Sequence, residues 1–157
     1  MKLVKIGAVI ALVAAILFSS QPGQAHEADC PYCKIKLVQN TKDSDNEVVV
    51  RFGNKRIEYR CIYCVIADQD RVKSDLIVYA PSEIVGKPVL LRRIAGEWTG
   101  PEGAVYLNLL KGHEQCAVTA RAFTTKEAFE KYVSLHKLDG AKPLTLKEFV
   151  EAVSKKG

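Results

Sequence analysis

Methionine is nearly absent from this chain. The only one is Met1, so a soft-metal site in the body of the protein has no thioether and must take its sulfur from cysteine. A strong charge of one sign is also missing. The formal balance is +5 over 157 residues, and the basic residues do not gather into a long run, which does not favour a nucleic-acid partner. No paired nucleophile and base, no glycine-rich phosphate loop and no paired carboxylates stand out. Glu97 and Glu102 flank a turn after Trp98 with nothing to pair with them. An enzyme is therefore not expected.

A long apolar run, Ile6 to Phe18, follows the basic residues Lys2 and Lys5. Ser19 to Ala25 then ends in small residues at the −3 and −1 positions of a cut after Ala25, the pattern of a secretory signal peptide over residues 1–25. The run is shorter than the ~20 residues a spanning helix needs, and an uncleaved anchor is the alternative. Cys30 lacks the preceding Leu-small-small pattern of a lipid-anchored protein. Removing 25 of 157 residues leaves 132, and the net charge falls to +3 because the removed piece carries two lysines and no acids. The expectation is an exported protein, periplasmic or extracellular, with no stable membrane insertion after cleavage. The remainder suffices for one domain, or two small modules sharing a core.

Five cysteines are present. Cys30-Pro31-Tyr32-Cys33 and Cys61-Ile62-Tyr63-Cys64 are two Cys-x-x-Cys pairs with 27 residues between them. Such pairs can curl so that both sulfurs point inward, and four thiolates suit Zn²⁺ or Cu(I) rather than hard cations. The same residues fit disulfides in an oxidising compartment, or a redox-active motif. An odd number leaves one thiol over unless it binds a metal or another chain. Cys116 and His113 sit close together in a loop and could add ligands from a second wall; a buried small hydrophobe and an exposed loop histidine are the plain alternatives. His26 would head the mature chain, where an amine and its imidazole can chelate, or simply form a loose terminus. His136 lies near a helix end, as a surface residue or favourable cation. Tyr32, Tyr63 and Trp98 could shield a sulfur site or serve as core aromatics.

Periodicity places these motifs. Lys34–Val38 alternates as a strand, and Glu47–Phe52 is a β-branched strand. Gly53-Asn54 is a hairpin turn, and Lys55–Arg60 alternates again. From Cys61 to Arg71 the apolar period becomes helical, so Cys61 lies where a strand gives way to a helix and its thiolate would gain from the helix start. Leu76–Ala80 is a short strand. Strand-like segments follow at Val89–Leu91, around Trp98, at Ala104–Leu110 and at Ala117–Phe123. Thr124 or Thr125 caps a helix whose apolar face carries Phe129, Tyr132 and Val133. Thr145 and Glu148 form a capping box for a last helix. The expected class is α+β, with two related small β-β-α-β modules sharing one core, module one at about 30–82 and module two at about 86–153.

Several segments together resemble the NosL family, exported copper-binding accessory proteins associated with nitrous oxide reductase assembly. They are Cys30 to Ile35, Arg56 to Cys64, Ala104-Val105-Tyr106, Ala120 to Phe123 with Ala128, and Leu144 to Phe149. The chain has Lys34-Ile35 where that family often has Gly-Met, and Cys116 falls near the place of a family methionine. The resemblance implies a fold of two related modules within residues 26–157. It also implies a Cu(I) chaperone or scavenger delivering to an acceptor metalloenzyme. Cys30, Cys33, Cys61 and Cys64 are the first candidate ligands, with Cys116 and His113 second. A structural zinc site, or a disulfide-stapled interaction module without metal transfer, is the alternative.

Overall fold

A β-branched run makes Val48–Phe52 a strand (β3), and Lys55–Tyr59 (β4) folds back on it across the Gly53-Asn54 turn. Gly53 sits at φ +52, the left-handed region that a tight hairpin demands and glycine tolerates. The computed structural model describes residues 28–37, 47–109 and 119–155. Its first segment holds two very short antiparallel strands, Ala28–Asp29 (β1) and Lys36–Leu37 (β2). The strand expected over Lys34–Val38 thus begins late among the described residues. Lys34 takes φ +63, so the chain is still turning there and cannot yet pair.

After β4 the chain enters a six-residue helix, Ile62–Ala67 (α1), and then a 3-10 turn at Gln69–Arg71. The expected continuous helix from Cys61 to Arg71 is interrupted at Asp68. Its carboxylate accepts from the Tyr59 hydroxyl at 3.0 Å and pairs with Arg71, which ties the helix end back to β4. Leu76–Ala80 (β5), Val89–Ile94 (β6) and Glu97–Thr99 (β7) follow. All strands of the main sheet are antiparallel, in the order β4-β3-β5-β6-β7. Strands β6 and β7 come after the expected boundary between modules, yet they extend the sheet that β3, β4 and β5 begin.

Val105–Leu109 (β8) and Thr119–Phe123 (β9) form a separate antiparallel pair. Two helices close the chain, Lys126–Leu135 (α2) and Leu146–Ser154 (α3). Thr125, not Thr124, caps α2 by accepting the Ala128 amide. Thr124 is occupied elsewhere: its amide and hydroxyl both donate to the Glu83 carboxylate. The Thr145–Glu148 capping box is present as expected.

The core lies on one face of the main sheet. Val48, Val50, Val78, Val89 and Leu91 point inward against Ile62 and Ile66 of α1, Phe149 and Val153 of α3, and Tyr106, Ala120 and Ala122 of the β8–β9 pair. Burying each large aliphatic or phenyl group contributes ~1.5–3 kcal/mol. The opposite face of β8–β9 carries Leu107 and Phe123, which pack on Phe129 of α2. Two cations, Arg93 and Arg121, are buried among the described residues. Arg93 points inward from β6, donates to the carbonyls of Gln69, Val72 and Ser74, and lies over the Trp98 ring. Arg93 thereby fastens the segment after α1 to the sheet, with both terminal nitrogens of its buried guanidinium hydrogen-bonded. The molecule is a mixed α+β protein.

Candidate metal centre

The first Cys-x-x-Cys pair lies on a tight turn between β1 and β2. The Cys30 carbonyl accepts the Lys34 amide at 2.9 Å, and the Cys30 amide donates to the Ile35 carbonyl at 2.8 Å. Pro31 suits the first bend, since its fixed φ and missing N–H cost nothing there. The left-handed Lys34 then reverses the chain. The second pair is carried differently. Cys61 is the N-cap of α1 and Cys64 lies in its first turn, so a strand end and a helix start hold these two sulfurs.

The fold brings the pairs together. The Sγ atoms of Cys30, Cys33 and Cys64 all lie within 4.8 Å of one another. Cys61 lies outside this mutually close trio, but its Sγ is 3.6 Å from that of Cys64. Metal–sulfur bonds of ~2.3 Å set sulfurs about 3.8 Å apart in a tetrahedral site, so the trio needs only a small contraction to close on one ion. None of the four described cysteines is in a disulfide. Cys30 and Cys64 are completely buried and Cys61 nearly so, while Cys33 is only half-buried.

Donors converge on Cys30. The thiol of Cys64 points to it first, followed by the amides of Arg60, at 3.4 Å, Cys33 and Tyr32. Together they outweigh burial and draw the Cys30 pKa down to about 5. Cys33 is shifted the other way, chiefly by burial and then by the neighbouring Cys30. Cys64 is shifted strongly upward, because it donates to Cys30, contacts Cys61 and is buried. At neutral pH the arrangement is a thiolate held by a protonated partner. This can accept a soft cation once Cys33 and Cys64 release their protons.

Tyr32 and Tyr63, each the third residue of its motif, meet edge to face with ring centroids 6.2 Å apart. Tyr32 is exposed and Tyr63 is buried. Trp98, the third expected shield, packs instead beside Arg93 and donates to the Gln69 side chain at 3.2 Å. His113, Cys116 and His26 lie outside the described residues. His136 is the C-cap of α2, its ring 4.2 Å from that of Tyr132. Sequence reasoning missed the Arg60 amide, for which side-chain identity gives no signal, and the pairing of the two tyrosines. Their equivalent places in the two motifs were a legible clue.

Among the described residues no helix is long and apolar enough to cross a membrane. No family model matches the chain, and no curated protein matches it. Fold and site define an α+β protein with a cysteine cluster that can hold a metal ion.

Proposed function

We propose that this protein is exported and carries a soft metal ion, Cu(I), as a chaperone or scavenger that hands its cargo to an acceptor metalloenzyme. The observation that carries the reading is the mutual approach of three sulfurs outside any disulfide, two on buried residues and one on a half-buried residue. Three thiolates suit Cu(I), a soft cation content with few ligands. Cys30 and Cys64 anchor the ion, and Cys33 offers the side from which an incoming ligand can compete. The proposal includes the signal peptide at residues 1–25 and the resemblance to the NosL family. It also includes kinship of the two β-β-α-β units and a role without catalysis.

A second reading is supported by one distance. Cys61, 3.6 Å from Cys64, could complete a four-sulfur site, and a closed tetrahedral thiolate site is the habit of structural zinc. Metal analysis of protein exported with its signal intact and purified without oxygen separates the two. About one equivalent of copper, lost to a Cu(I) chelator while circular dichroism stays folded, is expected of the carrier. Zinc whose removal unfolds the chain supports the structural role. Failure of the reduced protein to take up either metal would sink both.

A further inference from the structure

The outer face of the main sheet is the surface with the least obvious reason to be as it is. Antiparallel sheets with one solvated face normally alternate apolar and polar residues along each strand. Strand β5 does not: Leu76, Ile77, Val78, Tyr79 and Ala80 are apolar or aromatic on both faces, the pattern of a strand covered on both sides. Only the inner face is covered among the described residues. Ile77 is 37 % exposed, and on the neighbouring strand Leu90 is 41 % and Ile94 52 % exposed.

The register shows what surrounds this apolar strip. Ile77 stands between Arg51 on β3 and Arg92 on β6, and Arg56 lies beyond Arg51 on β4. Arg56 is paired with Glu58 at 2.5 Å. No ion pair between described residues engages Arg51 or Arg92; Arg51 lies over the Tyr79 ring, 5.6 Å from its centre. A groove of about 520 Å³ opens here, with Arg51, Ile77, Tyr79, Arg92 and Ile94 among its walls. Its one carboxylate, Asp75, already accepts the Ala95 amide at 2.9 Å.

We propose that this groove docks an extended segment of a partner protein, one that presents an apolar side chain between two carboxylates. The apolar side chain would sit on Ile77 and Tyr79. The carboxylates would meet Arg51 and Arg92, whose backbones stand about 10 Å apart across two strand spacings. Guanidinium forks are suited to carboxylates, and an aromatic floor under Arg51 holds it ready. Charge argues against a second copy of this chain as the occupant. It would bring an identical row of three arginines, with no carboxylate in that row, onto the first.

The test uses the full reduced chain, isotope-labelled, titrated with the capped peptide Glu-Thr-Ile-Thr-Glu and its Gln-for-Glu counterpart, followed by NMR. The expected result is saturable shifts centred on Ile77, Tyr79 and Leu90, with the acidic peptide binding at least tenfold more tightly than the neutral one. The double variant R51E/R92E should lose that preference, and the milder R51Q/R92Q should show at least half of the loss on a logarithmic scale. Both substitute exposed residues, and circular dichroism confirms that they fold. Equal binding of the two peptides, or shifts away from the groove, overturns the proposal. So does a concentration-dependent dimer in sedimentation that Ile77→Asp dissolves, because the occupant is then a second copy.

Discussion

Two motifs of identical spacing do different work in this molecule. Cys30 and Cys33 ride a tight turn, where the Cys64 thiol, the Arg60 amide ahead of the other motif and the turn's own Cys33 and Tyr32 amides favour ionisation of Cys30. Cys61 and Cys64 ride the start of a helix packed into the core, and Cys64 supplies the protonated donor. One motif is partly open at Cys33; the other is buried at both sulfurs. Identical ligand spacing therefore fixes neither protonation nor access. The element that carries the pair decides both.

Removing a sulfur gives the largest expected effect. Structural zinc sites bind with ~10–16 kcal/mol over four ligands; on the same scale per ligand, Cys30→Ser or Cys64→Ser should weaken Cu(I) binding roughly 10²–10³-fold. Chelator competition reads this directly. Retention of full affinity in both variants would refute the trio, whereas a loss as large in Cys61→Ser would enlarge it to four.

The second test is the slope of affinity with pH. Cys30, at about 5, is already a thiolate above pH 6, whereas Cys33 and Cys64 are shifted upward and must each release a proton on binding. Affinity should therefore rise with pH, by about 100-fold per unit between pH 6 and 8, one decade for each proton released. Competition titrations across that range give the slope. A slope of three decades would mark a further proton leaving Cys61, and a slope near zero would contradict the protonated state drawn here.

Access is the third difference. Exposed Tyr32 stands against buried Tyr63 beside the motif that holds the half-buried Cys33. Tyr32→Ala should speed metal release to a chelator about tenfold with a smaller change in equilibrium affinity, since such trimming acts mainly on off-rates. Stopped-flow transfer measures it; an unchanged release rate would remove Tyr32 from the exit path.

The smallest effect concerns the turn itself. Lys34 holds φ +63, which costs a residue with a side chain ~1–2 kcal/mol. Glycine has no such cost but gives back ~0.5–1 kcal/mol in unfolded-state entropy. Lys34→Gly should thus raise stability by about 0.5 kcal/mol, visible as a higher urea midpoint, the opposite of what most substitutions do. Loss of stability instead would mean that the Lys34 ammonium on the Pro31 carbonyl, 2.6 Å away, matters more than the backbone.

Much of the architecture was legible in local pattern. Val48–Phe52, Lys55–Tyr59 and Leu76–Ala80 announced themselves by β-branching and alternation, and Thr145 with Glu148 by capping chemistry. The short β2 and the break at Asp68 were not legible. The first depends on a left-handed lysine, and the second on a hydrogen bond to Tyr59, which comes nine residues earlier. The four sulfurs were visible as candidates, but their unequal roles were not.

Composition and spacing alone determined that sulfur ligands must come from cysteine, and that two curled pairs were available to supply them. These follow from residue identity and short-range chain geometry. Which three sulfurs meet, which one keeps its negative charge and which cysteine stays only half-buried were decided only by folding. Those outcomes turn on the Arg60 amide, the burial of α1 and the packing of a turn against a helix start, and all of them join residues far apart along the chain.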